Sequence, residues 1–570
     1  MFARNPFEFP MNKISQDDRA PGADFRSQAR ELVANRETLR RIFIMREDDS
    51  ARETLVKYME QILFGLQDFL QRHVGITEEV PLKELSERFM DTTIGRHPEK
   101  KLAQVITDLI NGIAPYAVNV ASPYFVGHMT SAIPFFMVHL STIVAALNQN
   151  VVKIETSKVV SIVEKQVLAK IHRLIYGFPE DFYKEHIQSG YTSLGGFVED
   201  GTLANLSALW VARNRLLGPK EGFAGVEQEG IARAFAAHGV DRLVVLISQL
   251  GHYSLRKSAG VLGLGSDNVL AIGVDEHNRM DIGELTSTLG HLAKTEPRTR
   301  VLAVVGISGA TETGTVDPLG KIADICQEQG IHFHVDAAWG GPTLFSEKYA
   351  RLLSGIERAD SVTIDGHKQF YMPMTCGMVY FKDPEAMDAI AYNARYVARP
   401  GSVDLGIRSL AGSRPSTSLI LDSALKIMGA QGYALLIEHG IETAASLAEE
   451  IELRENFQLM TRPELNILTY RYCPPEIQKH LATAGPEEAL VINQALNEAN
   501  IALQRRQREA GKSFVSRTTL RFPDGRNGLT VVLRVVIMNP MTHMGILREI
   551  LDEQESIAAR QLPESFRIEP

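Results

Sequence analysis

The sequence predicts an α/β protein. A large domain with a mainly parallel sheet flanked by helices should lie between a helical N-terminal segment and a small α+β C-terminal domain. Three observations carry this. Short apolar runs recur through the middle of the chain: LVVLIS (243–248), VLAVVGIS (301–308), HFHVDAAW (332–339), SVTID (361–365) and GMVYF (377–381). Helix-length segments separate several of them, as crossover helices separate parallel strands buried on both faces. After residue 426 this pattern gives way to helical periodicity with a few strand-like pieces.

Composition sets the bounds. The chain has 570 residues, 44% hydrophobic and 23% charged, a globular balance that excludes a disordered chain, a collagen or a coiled-coil rod. A net charge of −9 without a basic block excludes nonspecific nucleic-acid binding, which needs clustered Lys and Arg. The three cysteines, Cys326, Cys376 and Cys473, are far apart, so neither a disulfide framework nor a CxxC metal site is expected. The N-terminal stretch MFARNPFEFPMNKISQDDRAPG lacks the apolar core of a signal peptide, and the expected compartment is the cytoplasm.

Residues 1–30 are polar and broken by Pro and Gly, which predicts a loose arm. From 27 to 71, Leu32, Leu39, Ile42, Leu55, Met59, Leu63 and Leu66 recur at helical spacing. Between Asp108 and Lys153 there is no acidic residue, Lys or Arg; the most apolar part is IPFFMVHLSTIVAAL (133–147). It is short for a membrane span and carries His139, Ser141 and Thr142. With Pro134 in its first turn, it predicts a buried or subunit-interface helix and no membrane partner. Helices are expected around 430–455 and 485–510, and strands at 466–472 and 529–537. Domain boundaries are placed at 1–155, 156–426 and 427–570.

Four local features carry chemistry. Asp336, in HFHVDAAWGG, closes an apolar strand where ligands of open α/β sheets bind, although alone it also reads as a helix cap. Lys368, in SVTIDGHKQF, follows another buried strand beside Asp365 and His367. A desolvated lysine there suits Schiff-base chemistry, against the plain reading of a surface lysine. Gly201 and Thr202, in GTLAN, open an amphipathic helical run whose free N–H groups suit an anion. His252, in SQLGHYSLRKSAG, follows the strand at 243–248 and could stack on a flat cofactor.

In this order the four features resemble the pyridoxal-phosphate enzymes of the aspartate-aminotransferase-like (type I) fold. The motifs HVDAAWGG (334–341) and DGHK (365–368) resemble the group II amino-acid decarboxylases, over about 122–543. YFVGHMTSAIPFFM (124–137), LNQNVVKIETSK (147–158), GATETGTVDPL (309–319) and LNILTYRY (465–472) resemble the bacterial aspartate 1-decarboxylases that make β-alanine for pantothenate synthesis.

The resemblance implies a carboxy-lyase with pyridoxal 5′-phosphate, working as a homodimer with active sites at the interface. It implies that Lys368 carries the covalent link to the cofactor and that Asp336 pairs with the pyridine nitrogen. His252 and Ala338 would lie on opposite faces of the ring. Gly201, Thr202 and His367 match the phosphate neighbourhood, and Thr311 a cofactor contact. For Asn205, helix-start packing and a cofactor contact stay open. Tyr396, in NARYVARPGSVDLG, matches the loop tyrosine that reprotonates the α-carbon, and Arg534, in VVLRVVIMNP, the arginine that grips the substrate α-carboxylate.

Two departures bear on the site. Glu199 and Asp200 precede Gly201, where carboxylates would repel a phosphate unless they point away. Gly127-His128 stands where glutamate and cysteine-sulfinate enzymes carry Asn-Gln, so His128 is the candidate contact to a different acidic substrate. The expected reaction is decarboxylation of an acidic L-amino acid, foremost aspartate. Glutamate, cysteine sulfinate or another amino acid, and less readily another reaction such as transamination, are the alternatives.

Overall fold

The computed structural model describes residues 49–71, 74, 82–392, 403–521 and 528–561. The expected loose arm at 1–30 and Tyr396 lie outside the described residues.

Two sheets organise the chain. The larger contains β1 (Gly195–Val198), β2 (Arg242–Ser248), β3 (Val269–Ile272), β4 (Thr299–Ile307), β5 (His332–Asp336), β6 (Ser361–Asp365) and β7 (Gly377–Phe381), in the spatial order β1-β7-β6-β5-β4-β2-β3. The pairs from β3 through β6 are parallel; β7 runs antiparallel to both β6 and β1. Every residue of β6 and β7 is buried; β7 reads as an apolar run for that reason, whereas β6 buries Ser361, Thr363 and Asp365 beside Val362 and Ile364. β1 and β3 are four-residue strands that the sequence reading missed, too short for a periodic signal.

The smaller sheet joins β8 (Phe457–Thr461), β9 (Ile467–Tyr472), β10 (Ser516–Arg521) and β11 (Leu529–Val536) in the order β10-β11-β9-β8, all antiparallel. The helix Ser418–Leu453, broken at Gly429, is the spine between the two halves. Its Ile420, Leu421, Tyr433 and Ile437 belong to the core of the large sheet, and its Ala444, Leu447 and Ile451 to that of the small one. Among the described residues it alone is long and apolar enough to cross a membrane, and those packing faces account for its composition.

Two local expectations change. Pro134 is the cap before the helix Phe135–Leu147, in an extended conformation, and not a first-turn residue. Only Met137 of that helix is buried; Phe135 is 78% exposed and Ile143 53%. The helix Gly201–Leu216 is not amphipathic: ten of its residues are buried, because it is enclosed between the sheet and the helices beside it. Segment 124–126 joins the small sheet's surroundings, with Val126 N–H donating to the Phe514 carbonyl and Val536 N–H to the Val126 carbonyl.

Candidate active site

The carboxyl ends of β2, β4, β5 and β6 converge on a cleft of about 280 Å³. His128, Gly201, Thr202, His252, Thr311, Asp336, Ala338, His367 and Lys368 all line it, so most of the predicted site residues meet there. A larger open cavity of about 640 Å³ lies at the opposite ends of the strands, but its Arg215 and Arg358 are committed to Asp383 and Asp324.

Asp336 ends β5 and is 7% exposed. Its Oδ1 accepts the Ala338 N–H at 3.2 Å and its Oδ2 accepts from Asn205 Nδ2 at 2.9 Å. Asn205 lines the cleft, and its bonds to Asp336, His334 and Ser254 make it an orienting residue. Lys368 Nζ lies 3.1 Å from Asp365 Oδ2, both projecting from the end of β6. The Asp365 carboxylate also presses on the first residue of the helix Gly201–Leu216. A Cβ on Gly201 would stand 2.8 Å from Asp365 Oδ2, so a larger residue there would have to displace that carboxylate. His252 is pushed below the usual histidine range, chiefly by burial, which favours the neutral ring.

The two carboxylates before Gly201 have separate fates. Asp200 caps the helix, its Oδ1 accepting the Leu203 N–H at 3.0 Å. Glu199 lends its charge to Arg414, whose guanidinium is bound to buried Glu164.

On the side of the small sheet, Arg534 lies on β11 between Ser516 and Thr469. It is 9% exposed, and its Nε has no hydrogen-bond partner. Partial desolvation in the cleft, and then the charges of Arg534 and Lys368, hold His128 below the usual histidine range, although its outer edge stays open to solvent. Burial also raises the carboxyl of Glu312, which Arg534 partly offsets, and Glu312 Oε2 is buried without a partner. Gly127 is required for contact: a Cβ there would be 2.5 Å from Ser516 N and 2.8 Å from the Phe514 ring.

Sequence reasoning set Asp365 beside Lys368 without giving it a role of its own, and it did not single out Glu312. Asp365 was legible through its i,i+3 spacing to Lys368, whereas nothing in the sequence set Glu312 beside Arg534.

These residues fit pyridoxal 5′-phosphate. An oriented carboxylate suits a protonated ring nitrogen, a cleft lysine an aldehyde, small Ala338 a flat ring, and a helix start with Thr202 and His367 an anion. Residues 84–473 match the family described as the pyridoxal-dependent decarboxylase conserved domain, and the chain belongs to that family. It is therefore a pyridoxal-phosphate-dependent carboxy-lyase acting on an amino acid.

Among individual proteins, the chain is 44% identical over 527 residues to an aspartate 1-decarboxylase of Aliivibrio fischeri, covering 92% of this chain and 95% of that one. It is 30% identical to the bovine acidic amino acid decarboxylase GADL1, over 84% and 88% of the two chains. The crystal structure of mouse CSAD in its apo form superposes with a TM-score of 0.74 at 24% identity, over 88% of this chain and 99% of that one, a likeness of fold. The aspartate-aminotransferase-like fold expected from sequence is the one observed.

Proposed function

We propose that this chain is an L-aspartate 1-decarboxylase, releasing CO₂ and β-alanine. The single observation that carries the reading is the buried guanidinium of Arg534, whose Nε lacks a hydrogen-bond partner and whose charge reaches His128 in the same cleft as Lys368. A buried arginine in that state calls for an anionic ligand. The 44% identity to an aspartate 1-decarboxylase supports aspartate as that ligand.

In this reading the Arg534 guanidinium would grip the substrate α-carboxylate and orient it for loss as CO₂. His128, largely uncharged at neutral pH, donates to the distal carboxylate. When bound, the cofactor supplies an electron sink for the pair left by CO₂. Lys368 holds the cofactor covalently and, once displaced, moves protons. Asp336, held by Asn205, keeps the proton on the ring nitrogen. His252 and Ala338 flank the ring, Gly201, Thr202 and His367 face the phosphate, and Thr311 touches the cofactor. Tyr396 reprotonates the α-carbon as general acid.

The working unit in this reading is a cytoplasmic homodimer. The exposed apolar face of Phe135–Leu147 supports it, since such faces are seldom left in water. β-Alanine would feed pantothenate synthesis.

The test is competition. Purified holoenzyme is given equal aspartate, glutamate and cysteine sulfinate, and the amines are identified by mass spectrometry. Predominant β-alanine supports the reading; predominant γ-aminobutyrate or hypotaurine replaces the substrate and keeps the chemistry.

A further inference from the structure

Asp365 is the cleft group left over once the cofactor roles are assigned. Its side chain is 3% exposed. Oδ2 lies 3.1 Å from Lys368 Nζ and 3.7 Å from His367 Nε2, and Oδ1 is buried without a hydrogen-bond partner. The same carboxylate abuts Gly201, at the helix start where an anion would arrive. A carboxylate pinned between an amine and an anion site has a use for a proton.

We propose that Asp365 is the proton acceptor for Lys368 when the cofactor is captured. This rests on the reading that Lys368 forms the covalent link. The step balances internally. The ammonium N–H bond breaks, an O–H bond forms on Asp365 Oδ2, and the nitrogen lone pair is freed to attack the aldehyde carbon. The two hydrogens left on nitrogen depart with the carbonyl oxygen as water. No charge is carried through the cleft, and a neutral carboxyl, not a carboxylate, then faces the incoming phosphate.

The surroundings favour this. Burial raises the Asp365 carboxyl above the usual carboxylate range, and nearby Asp336 raises it further; Lys368 and His367 act the other way. Among the described residues, His252, Asp200 and Cys376 also stand near it. His252 and Cys376 feel the Asp365 charge directly, and Asp200 packs at the same helix start. Burial drives the Cys376 thiol up to about 12, so it stays protonated and is no rival acceptor. Asp336 already accepts hydrogen bonds from Ala338 and Asn205.

The experiment is infrared difference spectroscopy of full-length protein, stripped of cofactor and then loaded with pyridoxal 5′-phosphate. Loading should produce a C=O stretch of a protonated carboxyl that shifts in D₂O. The band should be absent from Asp365→Asn and kept in Asp365→Glu. Absence of the band in the wild type overturns the proposal whether or not either variant folds, and so does its persistence in Asp365→Asn. Lys368→Ala separates the underlying reading: if it still traps the cofactor covalently on borohydride reduction, the Lys368 assignment has failed, and the role of Asp365 fails with it. If it does not, the wild-type band and its loss in Asp365→Asn decide.

Discussion

Asn205 Nδ2 donates to the Asp336 carboxylate at 2.9 Å while its Oδ1 faces His334 Nε2 at 3.0 Å. That fixes a direction of hydrogen bonding. With the amide nitrogen given to Asp336, His334 must donate from Nε2 and accept at Nδ1 from Ser361 Oγ, 2.9 Å away. Ser361 in turn accepts from His332 Nε2 at 2.8 Å. Four buried or half-buried side chains thus orient one carboxylate. Asn205→Ala should leave Asp336 and His334 each short of a partner, costing on the order of 2 kcal/mol. Thermal unfolding would read that loss, and cofactor absorbance after dialysis should show weaker retention.

Stability should fall on mild acidification. His172 is buried with Nε2 3.0 Å from the Phe381 carbonyl and Nδ1 3.0 Å from the Tyr183 hydroxyl, and burial depresses it to about 4. The unfolded chain takes up this proton near 6.5, the folded one only near 4, so the unfolded state binds more protons between those values. Stability from this residue is intact above pH 6.5 and lost as pH falls toward 4, by about 3 kcal/mol in full. His334, also pushed to about 4 by burial, adds in the same sense. Melting temperature measured from pH 7 to 4 should drop more steeply in the wild type than in His172→Gln.

The ion pair of Arg414 and Glu164 is buried on both sides and bidentate. Arg414 also ties down the chain at Val151, whose N–H donates to its carbonyl. Glu164→Gln should destabilise the protein by about 3–5 kcal/mol, because the guanidinium stays buried without its counterion. A shift of the urea midpoint checks this. Replacing both residues by Met and Leu should recover much of the loss.

Arg534→Met should raise KM for the acidic substrate and cut kcat/KM by about 100-fold or more, near 3 kcal/mol, with cofactor absorbance unchanged. Arg534→Lys should recover little, since one ammonium cannot make a bidentate contact. Steady-state kinetics beside a cofactor spectrum would separate the two effects.

The sequence was most legible where burial was complete. The runs at 361–365 and 377–381 coincide with β6 and β7, whose residues are all buried. It was least legible in β10, whose only fully buried residue is Leu520. Motif residues were found because strand ends and a helix start carry recognisable residue types. Relations between distant segments left no such trace: the charge of Arg534 reaches Glu312, and Gly127 packs on Ser516, only in the folded chain. Helix 201–216 misled for a related reason, since its polar residues Asn205, Ser207 and Asn214 are buried in hydrogen bonds and mark no solvent face.

The small sheet delivers Arg534 on β11 and braces segment 124–128, which ends in His128, while the large sheet supplies Asp336 and Lys368. On the proposed reading, recognition and reactivity fall to separable cassettes. A chimera that transplants residues 124–128 together with β9–β11 from a relative of different taste should inherit the donor's preference and keep the recipient's catalytic engine. Selection could rewrite the menu of such an enzyme by editing segment 124–128 and the C-terminal strands, both far in sequence from Lys368.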